Sequence, residues 1–179
     1  MQTVFGKTGS GSAGRADPMA GPDGTGGATI GSDRARTLPG LFARRVAETP
    51  DGLAYRQFEG AGWCDYSWAA TARLVDRWRR GLQREGLAPG DRVALGLPNG
   101  VDWVAFDQAA LGLGLVTVPL YTTDSPGNAA HILADSGARL LFLDEPGQWA
   151  ALTPYAERFP DLRRVLCRNH GAGSEDPRL

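Results

Sequence analysis

The sequence predicts an α/β protein in which helices flank a parallel sheet and a small β-hairpin precedes that sheet. Short, nearly continuous apolar runs recur along the chain, as is typical of strands buried on both faces. The runs are residues 92–97, 115–120, 139–144 and 164–167. Segments with helical spacing separate these runs, and strands that alternate with helices form parallel sheets through crossover connections.

Composition is that of an ordinary globular domain. The 179 residues are 42% hydrophobic and carry a formal net charge of -1, so no global field attracts a nucleic acid, and none is predicted as a partner. The longest apolar run, residues 109–121, is shorter than the roughly 18 residues of a membrane span; peripheral membrane contact is left open. Residues 1–13 show no signal or transit pattern, so we expect a cytoplasmic location.

Both ends of the chain are polar. Residues 1–36 are rich in Gly, Ser, Ala and Asp, and such composition predicts a disordered tail. Within it, residues 9–14 match a dinucleotide-binding glycine pattern and residues 6–8 resemble the end of a P-loop. Neither has the preceding strand and following helix that such a motif requires, so we reject both. Residues 169–179 are predicted to form a polar C-terminal tail.

The ordered region begins at Thr37 with a helix and a hairpin. Apolar spacing predicts a helix over residues 38–48, and the turn residues 49–52 end it. The segments 53–58 and 63–66 read as antiparallel strands joined by a Gly-containing turn. Ser67 is predicted to cap the long helix that follows.

That long helix is amphipathic. One face is mostly apolar and carries Thr71, Leu74, Val75, Trp78 and Leu82, while another carries the arginine stripe Arg73, Arg77, Arg80 and Arg84. The stripe could bind acidic lipid or phosphate, but a solvated polar face is the commoner meaning of such a pattern. We therefore predict a surface helix.

The rest of the chain alternates strands and helices. The first strand, 92–97, and the second, 115–120, enclose a helix over residues 100–112, which makes a crossover unit. The remaining elements are a helix over 128–136 that Gly137 ends, a strand at 139–144, a helix over 146–158 and a strand at 164–167.

Chemically active side chains show no recognisable catalytic pattern. His131 and His170 have no positioned nucleophile, Cys64 and Cys167 lack metal-ligand spacing, and no nucleophile elbow or zinc motif occurs. Five carboxylates in the sheet region are too scattered to indicate a catalytic pair, and the tryptophans on predicted helices are interpreted as core. The carboxylates are Asp102, Asp107, Asp135, Asp144 and Glu145; the tryptophans are Trp68, Trp78, Trp103 and Trp149.

The polar loop 121–127 is the best candidate for ligand contact, because it follows a buried strand and ligands gather at the carboxyl ends of parallel strands. Its three hydroxyl residues, Tyr121, Thr122 and Thr123, could bind a polar group. The alternative is that the loop simply turns the chain, and we favour that interpretation. The sequence therefore predicts no catalytic residue, no cofactor-binding residue and no metal ligand in this chain.

A series of short segments resembles, in order and spacing, the start of the adenylate-forming acyl-CoA synthetases, and most closely the long-chain fatty acid type. The strongest block combines residues 97–103, 110–114 and 118–121. The supporting segments are residues 37–42, 49–51, 87–94 and 131–137. The resemblance covers roughly residues 37–167 and implies that 37–168 form an incomplete amino-terminal part of that family's large AMP-binding domain.

The resemblance implies an ATP-dependent ligase that joins a fatty acid or another carboxylate to AMP and then to coenzyme A, with Mg²⁺. No part of this sequence matches the family's phosphate-binding loop, its magnesium carboxylate or its mobile lid with the catalytic lysine. The one lysine of the sequence is Lys7. We therefore expect a chain that requires no cofactor of its own, is catalytically incomplete and tends to self-associate. The alternative is a non-catalytic, stand-alone α/β module that binds a partner or ligand.

Overall fold

The structure, a computed structural model, describes residues 29–169. The two rejected glycine motifs, Lys7 and His170 lie outside the described residues, as does most of the predicted amino-terminal tail. The last part of that predicted tail is described. It contains a one-turn helix, Ser32–Ala35, and Ile30 is buried.

The described chain contains six α-helices, one 3₁₀ helix and six strands. The helices are α1 Ser32–Ala35, α2 Leu38–Glu48, α3 Trp68–Arg84, α4 Val101–Gly112, α5 Pro126–Ser136 and α6 Pro146–Leu152; a 3₁₀ helix, Thr153–Arg158, follows α6. The strands are β1 Leu53–Glu59, β2 Gly62–Ser67, β3 Arg92–Gly96, β4 Val116–Pro119, β5 Leu140–Leu143 and β6 Arg164–Cys167. The predicted strands and helices are present with small differences at the ends, except for the helix predicted over residues 146–158.

The predicted helix over residues 146–158 is wrong in its second half. The α-helix stops at Leu152, and Thr153–Arg158 continues as a 3₁₀ helix. Pro154 explains the change, because it has no N–H to donate and its ring crowds the carbonyl four residues earlier. The Thr153 hydroxyl donates to the carbonyl of Ala150 at 2.7 Å, which stabilises the end of the α-helical turn.

The main sheet confirms the predicted α/β class. Its four strands have the order β4-β3-β5-β6 and all neighbours are parallel. Alternate residues of the central strands point to opposite faces. Val93 and Leu95 pack with α3 and α4 on one face, whereas Ala94 packs with α5 and α6 on the other. The core is thus two apolar layers, one on each side of the sheet.

Helix α3 lies on the surface as its pattern predicts. Thr71 and Leu82 are buried. All four residues of the arginine stripe, Arg73, Arg77, Arg80 and Arg84, are exposed. Trp78 packs against Phe106 and Phe142, with ring centroids 5.2 and 4.6 Å away. The helix therefore closes one face of the sheet with its apolar side and presents the stripe to solvent.

Strands β1 and β2 form the predicted antiparallel hairpin, and one hydrogen bond ties it to the main sheet layer. The side-chain oxygen of Gln57 accepts from the backbone N–H of Val101, at the start of α4, at 2.7 Å. A Cβ on Gly100 would lie 2.7 Å from that same oxygen. A larger residue at position 100 would therefore displace the Gln57 side chain from this hydrogen bond.

Candidate functional site

The carboxyl ends of the four parallel strands meet at one edge of the sheet, which we call the carboxyl edge. The segments that follow β3, β4, β5 and β6 there are residues 97–100, 120–125, 144–145 and 168–169. Connections leave β3 toward β4 and β5 toward β6, in opposite directions along the sheet. Such a reversal opens the crevice in which α/β proteins bind ligands, so this edge is the candidate site.

A small cleft lies at the carboxyl edge on the α5 and α6 side. Its volume is about 120 Å³, and Gly96, Tyr121, Thr122, Leu143 and Gln148 contribute to its lining. Tyr121 is 80% exposed. Pockets for drug-sized ligands have volumes of roughly 300–1,000 Å³, so this cleft alone has room for a small group and not for a nucleotide.

Hydrogen bonds of the predicted loop 121–127 are directed largely within the loop and into α5. Asp124 accepts from the backbone N–H of Tyr121 at 3.2 Å and from the Asn128 amide at 3.0 Å. The Ser125 hydroxyl accepts from the N–H of Asn128 at 3.2 Å and caps α5, which begins two residues earlier than predicted, at Pro126. This geometry agrees with the chain-turning interpretation of the loop.

Gln148 joins the strands on either side of the crevice. Its side-chain oxygen accepts from the backbone N–H groups of Asp144 and Glu145 at 2.9 and 3.0 Å. Its amide nitrogen donates to the carbonyl of Gly96 at 3.2 Å. The amide thus holds the start of α6 against the end of β3 and fixes the shape of the crevice.

Arg168 pairs with two of the carboxylates that are scattered in the sequence, Asp102 and Asp144. Its guanidinium lies 2.6 Å from Asp144 and 3.4 Å from Asp102. Asn169 donates to Asp144 and to Glu145, at 3.2 and 2.7 Å. A signal was present in the sequence, since Asp144 ends one predicted parallel strand, Arg168 directly follows another, and Asp102 lies in the first turn of the helix after a third.

The charge at the carboxyl edge does not suit a triphosphate. Among the described residues, Asp102, Asp124, Asp144 and Glu145 contribute four carboxylates to this edge, and Arg168 contributes a guanidinium. Phosphoryl chemistry needs positioned donors and cations where negative charge accumulates. The described residues therefore do not fit ATP and its metal at this edge, and no cluster of His, Cys, Asp or Glu among residues 29–169 could hold a metal ion.

The remaining candidate side chains stay apart. His131 is exposed on α5, and Cys64 lies on the hairpin, away from β6. Burial and the nearby Glu145 raise the pKa of the Cys167 thiol, which favours its neutral form. Burial also raises the pKa of Asp107 on α4, although a hydrogen bond from Thr117 partly opposes the effect. We assign none of these groups a catalytic role.

The comparison with protein families agrees with this architecture. Residues 42–172 match the AMP-binding enzyme family. This chain belongs to that family. The match includes all four strands of the parallel sheet and confirms the resemblance on which the sequence interpretation rests.

Relatives of this AMP-binding chain include fatty-acid ligases. Protein Y of Streptomyces griseus is 33% identical over 141 residues, which are 76% of this chain and 45% of that protein. The long-chain-fatty-acid–CoA ligase FadD15 of Mycobacterium tuberculosis is 31% identical over 119 residues, covering 66% of this chain and 20% of the ligase. The AMP-binding chain thus spans less than half the length of either relative.

A solved structure shows the same fold. A fatty acyl-CoA synthetase of M. tuberculosis superposes with a TM-score of 0.69 and 26% identity, covering 76% of the AMP-binding chain and 27% of the synthetase. The parallel sheet with flanking helices is therefore the amino-terminal part of an adenylate-forming fold. None of the described helices has the length and apolar character to cross a membrane.

Proposed function

We propose that this chain is the amino-terminal part of the catalytic unit of a long-chain fatty-acid–CoA ligase. Such an enzyme would activate a fatty acid with ATP through an acyl-adenylate and then form a thioester with coenzyme A. One observation carries the proposal: the parallel sheet matches a fatty acyl-CoA synthetase in fold and, at 26% identity, in sequence. The relatives named as long-chain-fatty-acid ligases support the substrate class.

In this proposal the chain supplies scaffold and does not perform the chemistry. The Gln148 bridge and the Arg168 ion pairs fix the loops of the carboxyl edge. Adenylation also requires cationic groups around the phosphates, and the excess of carboxylates at this edge opposes them. ATP, Mg²⁺ and coenzyme A would accordingly be bound mainly by parts of a ligase that this chain does not match.

The alternative is a stand-alone α/β module that binds a ligand or partner without catalysis. The cleft beside Tyr121 and Thr122 favours it, because hydroxyls at the carboxyl edge could hold a small polar group. Reading the coding sequence beyond Leu179 distinguishes the two. A continuing frame with a phosphate-binding loop and a lid supports the ligase, and a natural stop supports the module.

The first prediction concerns catalysis by the isolated chain. Purified chain with Mg²⁺, ATP and a long-chain fatty acid should show no exchange of pyrophosphate into ATP above a no-enzyme control, because the guanidinium of Arg168 at the described carboxyl edge is already paired with Asp102 and Asp144. A Lys7→Ala variant serves as the control for the sole lysine. Exchange that persists in this variant, with contaminating ligase removed, would contradict the proposal.

The second prediction concerns self-association. Among the described residues, Leu38, Phe58, Trp63 and Val116 are exposed, and open apolar surface promotes association. We expect light scattering to show species larger than a monomer at micromolar concentration, together with binding of a hydrophobic dye. A monodisperse monomer that binds no dye would reject this expectation.

The predicted cytoplasmic location stays a prediction.

A further inference from the structure

The amino ends of the parallel strands meet at the edge of the sheet opposite the carboxyl edge, and we call it the amino edge. Backbone pairing there places several arginines next to one another. Arg139 donates its N–H to the carbonyl of Arg92 at 2.9 Å. Arg163 and Arg164 donate theirs to the carbonyl of Arg139 at 2.9 and 3.4 Å. Like charges on neighbouring strands are destabilising unless negative charge compensates them.

The guanidinium groups of these arginines differ in how fully they are paired. That of Arg92 donates to two carbonyls at the end of α5, at 2.6 and 3.0 Å. That of Arg139 contacts Asp91 at 3.3 and 3.4 Å, and that of Arg164 contacts Glu85 through Nε at 3.1 Å. Charge-assisted pairs of this kind are usually about 2.7–2.9 Å long. The contacts of Arg139 and Arg164 are therefore loose.

Arg163 is the unpaired member of the group. It is exposed, and within residues 29–169 its side chain makes no ion pair or hydrogen bond. With Arg139 and Arg164 it brings three guanidinium groups to this place, against the two carboxylates of Asp91 and Glu85. The amino edge thus keeps an excess of positive charge here, whereas the carboxyl edge has an excess of negative charge.

A pocket with a volume of about 200 Å³ lies at this cluster. Its lining consists of Glu85, Leu87, Arg139, Leu140, Arg163 and Arg164. Leu140 is buried and Leu87 is half-buried, and such apolar walls focus the field of neighbouring charges on a ligand. A water molecule takes about 30 Å³ of the liquid, so the pocket has room for an anion the size of a few waters. It is smaller than the roughly 300–1,000 Å³ of pockets for drug-sized ligands.

We propose that this pocket binds a small phosphate-bearing anion through the guanidinium groups of Arg139, Arg163 and Arg164. A phosphate group attached to a small molecule has three free oxygens and a charge of about −1.5 to −2 near neutral pH. It can therefore accept hydrogen bonds from all three arginines and offset their excess charge. The inference is independent of the proposed ligase function, because the pocket lies at the opposite edge of the sheet from the candidate site.

Other anions fit this pocket less well. A carboxylate has two oxygens and one charge, so it is matched by the fork of a single guanidinium. A nucleic acid needs basic groups spread along its backbone, and this chain has a formal net charge of -1 and one compact cluster at the pocket. The chemistry that remains is that of inorganic phosphate or a small phosphate monoester.

Nuclear magnetic resonance of the arginine side chains tests the inference with the full 179-residue chain. The chain is titrated separately with inorganic phosphate, glycerol 3-phosphate and acetate, while chloride holds the ionic strength constant. The Nε–H signals of Arg163 and Arg164 should shift saturably, with half-saturation below about 10 mM for at least one phosphate probe. Acetate should bind at least tenfold more weakly. The absence of saturation, or an equal response to acetate, would overturn the proposal.

The two phosphate probes identify the source of the anion. Tighter binding of inorganic phosphate supports a site for the free ion. Tighter binding of glycerol 3-phosphate supports a site for a small phosphorylated compound, whose remaining atoms then contact the apolar wall at Leu87 and Leu140.

Matched variants separate a specific site from general attraction between charges. Arg163→Gln and Arg77→Gln each remove one positive charge from an exposed residue, and only Arg163 lines the pocket. Arg163→Gln should raise the dissociation constant for phosphate at least tenfold, whereas Arg77→Gln should change it less than twofold. Both variants should fold, because the structure gives neither side chain an ion pair within residues 29–169. Equal weakening by the two substitutions would contradict a phosphate site at the amino edge.

Discussion

Gly137 shows how one residue can end a helix and limit what surrounds it. Its φ of 58° places it in the left-handed region after α5, where glycine is favoured. Arg92 donates to the carbonyls of Ser136 and Gly137 at 2.6 and 3.0 Å, so the guanidinium of β3 closes the end of the helix. The position thus connects α5 to the amino end of the sheet.

The third prediction is that Gly137→Ala destabilises the chain by about 1–2 kcal/mol, because alanine is strained in the left-handed region. Its Cβ would also lie 2.6 Å from the Arg92 guanidinium. Gly147→Ala on α6 is the matched control, since a Cβ there meets nothing within 4 Å. Urea unfolding measures both variants. Equal midpoints for the two would refute the role given to Gly137.

Single residues also show where sequence reasoning reached its limit. Gly137 as a helix end and Ser67 as a cap were predictable, because each acts through backbone geometry of its own neighbours. The pairing of Arg168 with Asp102 and Asp144 was not predicted, since these residues lie far apart in sequence and meet only through the strand order. The strand order β4-β3-β5-β6 depends on which face of the sheet each connecting helix covers, and the sequence does not reveal that face.

At the scale of elements, α3 links the hairpin to the main sheet. The Ser67 hydroxyl at the end of β2 accepts from the N–H of Ala70 at 3.2 Å, so strand and helix share this residue. Further along α3, the ring of Trp78 packs against Phe106 and Phe142. The position of the hairpin therefore depends on the first turn of this helix.

The fourth prediction is that Ser67→Ala lowers the free energy of unfolding by about 1 kcal/mol, the usual cost of losing an N-cap. Ser67→Asp is the control, because its carboxylate can accept the same hydrogen bond and favours the helix N-terminus. Equilibrium denaturation followed by circular dichroism compares the three proteins. A Ser67→Asp variant as unstable as Ser67→Ala would show that the cap contributes little.

Most elements followed from apolar periodicity, and the exceptions have local causes. The 146–158 segment has helical spacing, but Pro154 converts its second half into a 3₁₀ helix. The sequence predicts that α5 starts at residue 128, because the preceding Ser-Pro-Gly sequence is typical of loops. Ser125 and Pro126 instead form a capped first turn, a use of proline that the pattern also permits.

At the scale of the whole molecule, the apolar core is supplied by the described residues, whereas the candidate site is only one edge of the sheet. The sheet has two apolar layers that residues 29–169 themselves supply. The carboxyl edge has fixed loops and excess negative charge, which suits a wall of a site better than its phosphate-binding part. The apolar layers are predictable from the sequence because apolar periodicity is local, whereas the contacts of the carboxyl edge depend on the strand order.

The most direct test of the ligase assignment is a chimera. Residues 37–168 of this chain would replace the matched segment of the M. tuberculosis fatty acyl-CoA synthetase, with the native synthetase and one carrying a shuffled segment as controls. If the two sheets have the same role, the folded chimera should catalyse fatty-acid-dependent pyrophosphate exchange within about 100-fold of the native rate, a loss of roughly 2.7 kcal/mol of transition-state stabilisation. A chimera that folds, as judged by its circular dichroism and cooperative unfolding, yet shows no exchange above the shuffled control would contradict the assignment.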